Sequence, residues 1–235
     1  MDKSVQIFFY LFNLLLIIII LILAINKYTY GFLFIFSCWS LSFSLFYYAF
    51  AFIILVFRKT ITKQNETMKN FFSKKLFKIV WTFNVTTVLG FWGGVELNWI
   101  AREKGWDNKD LWLQLFLHTF IPIFVFFDLF IFDHVLELSF VIDSIILTFL
   151  FWLYAILYYI NKLIGNNQGV HIYYINDNFI HNFVIGIIYY MLYLNCYFFH
   201  QFILMKKMNV TINTNTFVEN TTYTTTKKNI LINKK

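Results

Sequence analysis

Two side chains of this sequence have the types that a nucleophile–base pair needs. Ser37 carries a hydroxyl and His118 an imidazole, and each stands inside a long apolar run. In such a pair the histidine accepts the hydroxyl proton, the freed oxygen attacks an acyl carbon, and water later releases the acyl group. Polar groups inside hydrocarbon cost free energy, so each needs a partner or a role. The pair predicts ester hydrolysis within a membrane.

The elements that must position this pair are six apolar runs. A transmembrane helix needs about 20 mostly apolar residues, and continuous apolar runs favour helices over the alternating pattern of a barrel. The sequence therefore predicts an all-α polytopic membrane protein, a bundle of six transmembrane helices forming one domain over residues 1–204. The predicted spans are 5–25, 31–57, 77–98, 111–132, 139–160 and 179–204. The third run is rich in small and polar residues, which predicts an interior helix. Residues 205–235 are polar and are predicted to form a disordered tail.

Composition excludes a water-soluble fold. The chain has 235 residues, of which 60% are hydrophobic and 13% charged, whereas soluble domains carry roughly 25% charged residues. The net charge of +7 could indicate a nucleic-acid partner, but basic loops at a membrane surface explain it better. Membrane lipids are the expected partners. Neither cofactor nor metal is expected, because the metal-binding and nucleotide-binding motifs are missing and His181 and His200 stand 19 residues apart.

The distribution of Lys and Arg predicts the orientation. With six spans, fourteen of these residues fall on the side that holds both termini and the loop from Arg58 to Lys78, and five fall on the other side. The positive-inside rule then places both termini in the cytoplasm. The glycosylation sequons at Asn209 and Asn220 would stay bare. The expected location is the endoplasmic reticulum or the plasma membrane.

Orientation gives each polar residue a depth. Ser37 is six residues into the second predicted span and His118 is seven residues into the fourth. At 1.5 Å per residue these positions lie roughly 9 and 10 Å below the outer surface. By the same count Glu96 belongs to this outer layer, and it is the candidate for a third residue that orients the pair.

A purely structural role is the alternative. Ser37, Ser40 and Ser44 share a helix face at spacings of three and four, and such serines can bond across a bundle. Asp128, deeper in the fourth run, is predicted to pair with Asn195 or with a serine. On this interpretation the protein is a carrier or a regulatory scaffold and not an enzyme.

Three segments resemble those of a known family. They are YGFLFIFSCWSLSFSLFYYAF from Tyr30, WLQLFLHTFIP from Trp112, and YAILYYINKLIGNNQGVHIYYIND from Tyr154. In order and spacing, across residues 30–204, they resemble the androgen-induced protein family of multi-pass membrane hydrolases.

The resemblance implies a substrate class and two site residues. Members of the family cleave fatty acid esters of hydroxy fatty acids with a threonine nucleophile and a histidine. The histidine falls on His118, and the threonine position falls on Ser37, so the chain departs from the family there while keeping a hydroxyl. The family's Tyr-Pro-Phe-Leu-like end is also changed, because Tyr173 and Tyr174 precede Ile-Asn-Asp without a proline. The implied partner is a lipid ester that enters from the bilayer.

Overall fold

The structure is a computed structural model that describes residues 3–28, 35–57, 75–96, 108–131, 140–163 and 183–207. Every regular element in these ranges is helical, which confirms the predicted all-α class. The helices are α1 Lys3–Tyr28, α2 Phe36–Val56, α3 Phe77–Glu96, α4 Asn108–Leu115, α5 Ile121–Ile131, α6 Phe140–Leu163 and α7 Phe183–Lys207. A π-helical turn, Phe116–Phe120, joins α4 to α5 and makes one continuous helical segment of them.

Five helices are long and apolar enough to cross a membrane. They cover Ser4–Lys27, Phe36–Val56, Trp112–Phe130, Val141–Ile160 and Phe183–Lys207. Their outward faces carry large apolar side chains, such as Phe8, which is 69% exposed, and Val141, which is 73% exposed. Faces of this kind suit contact with lipid, because a soluble monomer rarely exposes extended apolar surface.

The helix α3 lies in the interior of the bundle, as its small and polar residues predict. Its buried side chains include Trp81 and Phe83 together with the polar Thr82, Asn84 and Thr87. The two threonine hydroxyls donate to backbone carbonyls four residues earlier in the helix. These two hydroxyls are therefore satisfied within the helix, which lowers the cost of burying them.

Aromatic contacts show how the first helices run. The Tyr10 ring near the start of α1 lies 6.5 Å from the Tyr47 ring in the middle of α2. The Tyr47 ring in turn lies 5.2 Å from the ring of Phe77, the first residue of α3. Ser44 of α2 bonds to Asn84 of α3, whereas the later Tyr47 meets the earlier Phe77, so α3 runs opposite to α2.

Most helix ends differ from the predicted spans by a few residues, and two of the differences matter most. The second span was expected from residue 31, but Ile35 is extended, with φ −104° and ψ 119°, and α2 begins at Phe36. Ser37 is therefore in the first helical turn. At the other end of the chain, α7 continues to Lys207 and not 204. The rest of the predicted tail, 208–235 with both sequons, lies outside the described residues.

Candidate active site

The hydroxyl of Ser37 is buried at the start of α2. The residue is 3% exposed, and its Oγ has no hydrogen-bond partner in the described part of the chain. Ser40, one turn further on, is 1% exposed and its Oγ also lacks a partner there. Buried polar groups are normally hydrogen-bonded, so two unpartnered hydroxyls on one helix face require an explanation.

Ser44 is the third serine on this face, and it differs from the other two. Its Oγ donates to the backbone carbonyl of Ser40 at 2.8 Å and accepts from Asn84 Nδ2, also at 2.8 Å. Ser44 therefore joins α2 to α3, which is the structural role expected for serines in a membrane bundle. That role was predicted as the alternative for all three serines, and among them the cross-helix bond is made by Ser44.

The imidazole of His118 is buried within the π-helical turn and has a defined orientation. Its Nδ1 lies 3.0 Å from the backbone carbonyl oxygen of Gln114. A carbonyl oxygen can only accept, so Nδ1 carries the proton of the neutral ring and Nε2 carries the lone pair. The ring also stacks on Phe91 of α3, with centroids 3.6 Å apart and planes 13° apart. His118 is thereby held with Nε2 as the ring nitrogen that can accept a hydrogen bond.

The π-helical turn has a cause in the sequence. Pro122 is the only proline of the chain; it has no N–H for the carbonyl of His118 four residues earlier, and its ring clashes with that carbonyl in a regular helix. Just before it, the N–H of Ile121 donates to the carbonyl of Phe116, five residues back, as in a π-helix. Such bulges are frequent at functional sites, and this one carries His118.

The register of α2 and α3 brings Ser37 and His118 to a similar level. Ser44 bonds to Asn84, and the two helices are antiparallel. Ser37 is seven residues before Ser44, and Phe91 is seven residues after Asn84, so both lie about 10 Å from that bond in the same direction. His118 stacks on Phe91. We call Ser37, Ser40 and His118 the hydroxyl layer.

Three further points concern the predicted site: the contact between Ser37 and His118, the position of Glu96, and the role of Thr119. No hydrogen bond joins Ser37 Oγ to His118 in the structure, since Oγ has no partner among the described residues. Apo catalytic pairs are often loose and tighten only around substrate. Glu96 is the last residue of α3, and its side chain lies outside the described residues, so its role stays a prediction. Thr119, beside the histidine, accepts from Trp92 Nε1 at 3.1 Å and so ties the π-helical turn to α3.

The expected pairing of Asp128 with Asn195 is wrong. Asn195 is exposed, and its amide donates to the Met191 carbonyl of its own helix at 2.8 Å. Asp128 is fully buried on α5. Its electrostatic neighbours are tyrosines of α1 and α2, namely Tyr10, Tyr47 and Tyr48. Spacing along the chain could not show this, because the tyrosines come from other helices.

A second polar region, at the start of α3 and α6, was missed from the sequence. Lys78 Nζ lies 2.5 Å from Asp143 Oδ2, and Lys75 Nζ lies 3.4 Å from Oδ1 of the same carboxylate. The hydroxyl of Tyr197 in α7 donates to Asp143 Oδ2 at 3.3 Å. We call these four residues the ion cluster. Lys78 had been counted with the basic loop, but it is 2% exposed and belongs to α3. The sequence held one signal for this cluster, namely Asp143, an aspartate four residues into an apolar run.

The architecture defines a class. Five helices that are long and apolar enough to cross a membrane make this a multi-pass helical membrane protein. Within the described ranges, no three His, Cys, Asp or Glu side chains converge as ligands for a metal ion. Comparisons of the chain with protein-family models, with curated proteins and with solved structures found no match.

Proposed function

We propose that the protein is an integral membrane hydrolase of lipid esters in which Ser37 is the nucleophile and His118 the general base. One observation carries the proposal: the hydrogen bond between His118 Nδ1 and the Gln114 carbonyl leaves Nε2 as the acceptor, at the level of the unpartnered Ser37 hydroxyl. The sequence resemblance to the androgen-induced protein family supports the same two residues and suggests fatty acid esters of hydroxy fatty acids as substrates.

The proposed reaction has two halves. His118 Nε2 takes the proton of Ser37 Oγ as that oxygen bonds to the acyl carbon, and the carbonyl electron pair moves to its oxygen. When the carbonyl re-forms, the ester C–O bond breaks, and His118 returns the proton to the departing alkoxide. Water then adds to the acyl group with His118 again as base, which yields the free acid and restores Ser37.

The proposed topology has six spans with both termini in the cytoplasm. The sixth span is α3, whose polar composition suits an interior helix that the other five shield from lipid. Because Ser37 is the second residue of the α2 span and not six residues into it, the hydroxyl layer would then lie near the outer surface, where an ester in the outer leaflet can reach it. The proposed location is the endoplasmic reticulum or the plasma membrane.

The test compares three serine and histidine variants in detergent, with a fatty acid ester of a hydroxy fatty acid as substrate. Ser37→Ala should lower kcat by at least about 10³-fold, and His118→Ala by about 10² to 10⁴-fold. Ser44→Ala is the matched control, because Ser44 lies on the same helix face but its hydroxyl is engaged with Asn84. Thermal unfolding checks that each variant is folded. Full activity in both Ser37→Ala and His118→Ala would end the proposal.

A second candidate function is that of a carrier or regulatory scaffold. The ion cluster favours a scaffold, since its buried carboxylate joins α3, α6 and α7 through ion pairs and a hydrogen bond that need no catalytic role. A fluorophosphonate probe, which reacts with activated hydroxyls, separates the two functions. Labelling of the native protein that is lost in Ser37→Ala favours the hydrolase, whereas a folded protein that takes no label favours the carrier or scaffold.

A further inference from the structure

We propose that the interior of the bundle binds a monovalent cation through Asn13 Oδ1, Asn84 Oδ1 and the carboxylate of Asp128. We call these three residues the cation site. Their side chains come from α1, α3 and α5 and are 0%, 1% and 0% exposed, in that order. The inference does not rest on the proposed hydrolase function, because the cation site shares no residue with the hydroxyl layer.

The amide oxygens of the two asparagines point to a ligand. Asn13 Nδ2 donates to the carbonyl of Phe9 at 2.8 Å. Asn84 Nδ2 donates to the carbonyl of Val80 and to Ser44 Oγ, each at 2.8 Å. Because a carbonyl oxygen can only accept, these bonds assign the nitrogen of each amide and turn its oxygen away from that carbonyl. Neither Oδ1 has a hydrogen-bond partner among the described residues, so each requires a donor or a cation.

Four helices surround the cation site in the order α1, α2, α3, α5. Four contacts close this circle: Tyr10 with Tyr47, Ser44 with Asn84, Trp81 with Phe126, and Phe124 with Phe9. The helices α1 and α3 therefore stand across the bundle axis from each other. Asn84 shares a face of α3 with Phe91, seven residues later, and Phe91 stacks on His118. This face points between α2 and α5, at the axis, and the buried Asn13 reaches the axis from the opposite side.

The length of the chain between α1 and α2 fixes the direction of α1. The Tyr10 and Tyr47 rings are in contact. If the two helices ran parallel, Tyr28 and Phe36 would lie about 43 Å apart along the axis. The chain between these two residues can span at most about 29 Å. The helix α1 is therefore antiparallel to α2, and it runs in the same direction as α3.

These directions place the two asparagines at one level of the bundle. Asn13 is three residues after Tyr10, and Ser44 is three residues before Tyr47. In antiparallel helices both steps lead the same way along the axis, by about 4.5 Å. Asn13 is thus level with Ser44, and Ser44 is bonded to Asn84. The two unpartnered amide oxygens therefore face the axis from opposite sides at the same height.

The carboxylate of Asp128 approaches from about one helical turn away. Its electrostatic neighbours Tyr10 and Tyr48 are three and four residues from the asparagine level, which is about 4.5 to 6 Å. Two ring contacts show that α5 is antiparallel to α3: Phe91 with His118, and Trp81 with Phe126. The Cα–Cβ bond of a helical residue tilts toward the start of its helix. The asparagines therefore lean toward Asp128, and Asp128 leans toward them.

The oxygens and the charge of the cation site define the class of ligand. Amide and carboxylate oxygens are the ligands that hard cations prefer. The one carboxylate balances an ion of charge +1, such as sodium or potassium, and charge inside a membrane must be balanced. A cation can also bridge oxygens that stand too far apart for a hydrogen bond. Such a set has no sequence motif, because its members stand on three helices.

The first test uses the native protein in detergent, with sodium chloride replacing choline chloride at constant ionic strength. A ligand that binds only the folded state stabilises it. Sodium should therefore raise the unfolding temperature in a saturable way, by about 5–10 °C at 100 times its dissociation constant. Potassium chloride is measured in parallel. If neither ion changes the unfolding temperature relative to choline, the amide oxygens are met by water and the proposal is overturned.

The second test measures binding of radiolabelled sodium, or of rubidium as a tracer for potassium, in matched variants. Asn13→Leu and Asn84→Leu each remove one oxygen at similar size, and Asp128→Asn removes the charge at the same size. Each should weaken binding at least about 10-fold. Asn195→Leu makes the same change at an exposed asparagine that also donates to its own helix, and it should bind as the native protein does. Thr87→Val, one turn from Asn84, removes a hydroxyl that is satisfied within α3 and should also keep binding.

Thermal unfolding in choline chloride checks that each variant is folded. The two leucine variants keep the test decisive if Asp128→Asn does not fold. Full binding in both Asn13→Leu and Asn84→Leu would place the ion elsewhere and overturn the proposal. Equal losses in Asn84→Leu and Thr87→Val would show that binding follows the general packing of α3, and this result would also overturn it.

Discussion

The ion cluster and the hydroxyl layer are both buried polar regions, and they differ in how their groups are satisfied. In the ion cluster, the carboxylate of Asp143 meets two lysines and the hydroxyl of Tyr197. In the hydroxyl layer, Ser37 and Ser40 lack partners among the described residues. A saturated cluster of this kind holds helices together, whereas unused donors leave capacity for a ligand.

Ser44 makes the comparison sharper because it shares a helix face with both unpartnered serines. The three residues have the same side chain and similar burial, so neither type nor burial separates them. What separates them is Asn84, which reaches only Ser44. Among these three serines, the cross-helix hydrogen bond is therefore what distinguishes Ser44 from Ser37 and Ser40; elsewhere in the described helices other buried polar atoms, such as Thr86 Oγ1 and the Tyr193 hydroxyl, also lack a partner.

The largest expected effect is on the ion cluster. Asp143→Ala leaves the ammonium of Lys78 buried without its carboxylate, and breaking a buried pair in this way costs about 3–5 kcal/mol. The loss should appear in the free energy of unfolding, measured by SDS titration of detergent-solubilised protein. Lys75→Ala is the control: its side chain is 22% exposed, so its loss should be at most about 1 kcal/mol.

The double variant Lys78→Met with Asp143→Leu distinguishes charge from packing in the same assay. Replacing both partners by apolar groups of similar size is often neutral or stabilising. The double variant should therefore recover most of the stability that Asp143→Ala loses. If it is as unstable as the single variant, the cluster is held by something other than the ion pair.

An intermediate effect on the unfolding free energy is expected where α3 and α7 pack beside the hydroxyl layer. A Cβ added at Gly90 would lie 2.6 Å from Cε1 of Tyr189, and the Tyr189 hydroxyl donates to the Gly90 carbonyl at 2.8 Å. Gly90→Ala should cost about 1–3 kcal/mol of unfolding free energy, because the ring must shift from a packed position. The measurement is the same SDS titration.

Gly93→Ala is the matched control for that variant. Apart from its chain neighbours and the backbone of its own helix, no atom of the described residues lies within 4 Å of a Cβ built at Gly93, and alanine is about 1 kcal/mol better than glycine inside a helix. Gly93→Ala should therefore be neutral or stabilising. If Gly90→Ala and Gly93→Ala lose equal unfolding free energy, contact with Tyr189 is not the cause, and this end of α3 rejects side chains for another reason.

The fold followed from the sequence because lipid imposes a strict rule. Backbone groups in hydrocarbon must bond within their own segment, so each continuous apolar run becomes a helix, and each predicted run does contain one. The rule does not set helix ends. Ile35 stays extended although it lies inside an apolar run. Nor does the rule show that Lys78 is buried, because its partner is a carboxylate 65 residues away.

The site could be predicted only as residue types. The sequence indicates a serine and a histidine in one layer, and Pro122 offers a local reason for the irregular turn at His118. It cannot show that Ser44 is bonded while Ser40 is not, because that depends on Asn84, forty positions away in another helix. The catalytic roles of Ser37 and His118 stay predictions.

The smallest expected effect is on the stability of two serine variants. It tests most directly the difference between the unpartnered Ser40 and the bonded Ser44. An unpartnered buried hydroxyl costs free energy that a methyl group does not, so Ser40→Ala should raise the unfolding free energy by about 0.5–1 kcal/mol. Ser44→Ala should do the opposite: it breaks the bond to Asn84 and should cost about 0.6 kcal/mol, the typical value for hydrogen bonds between membrane helices, with activity kept. The measurements are SDS titration and ester hydrolysis on the same preparations. If both variants lose stability equally, the hydroxyl of Ser40 has a structural partner after all, and the distinction between the hydroxyl layer and an ordinary helix contact disappears.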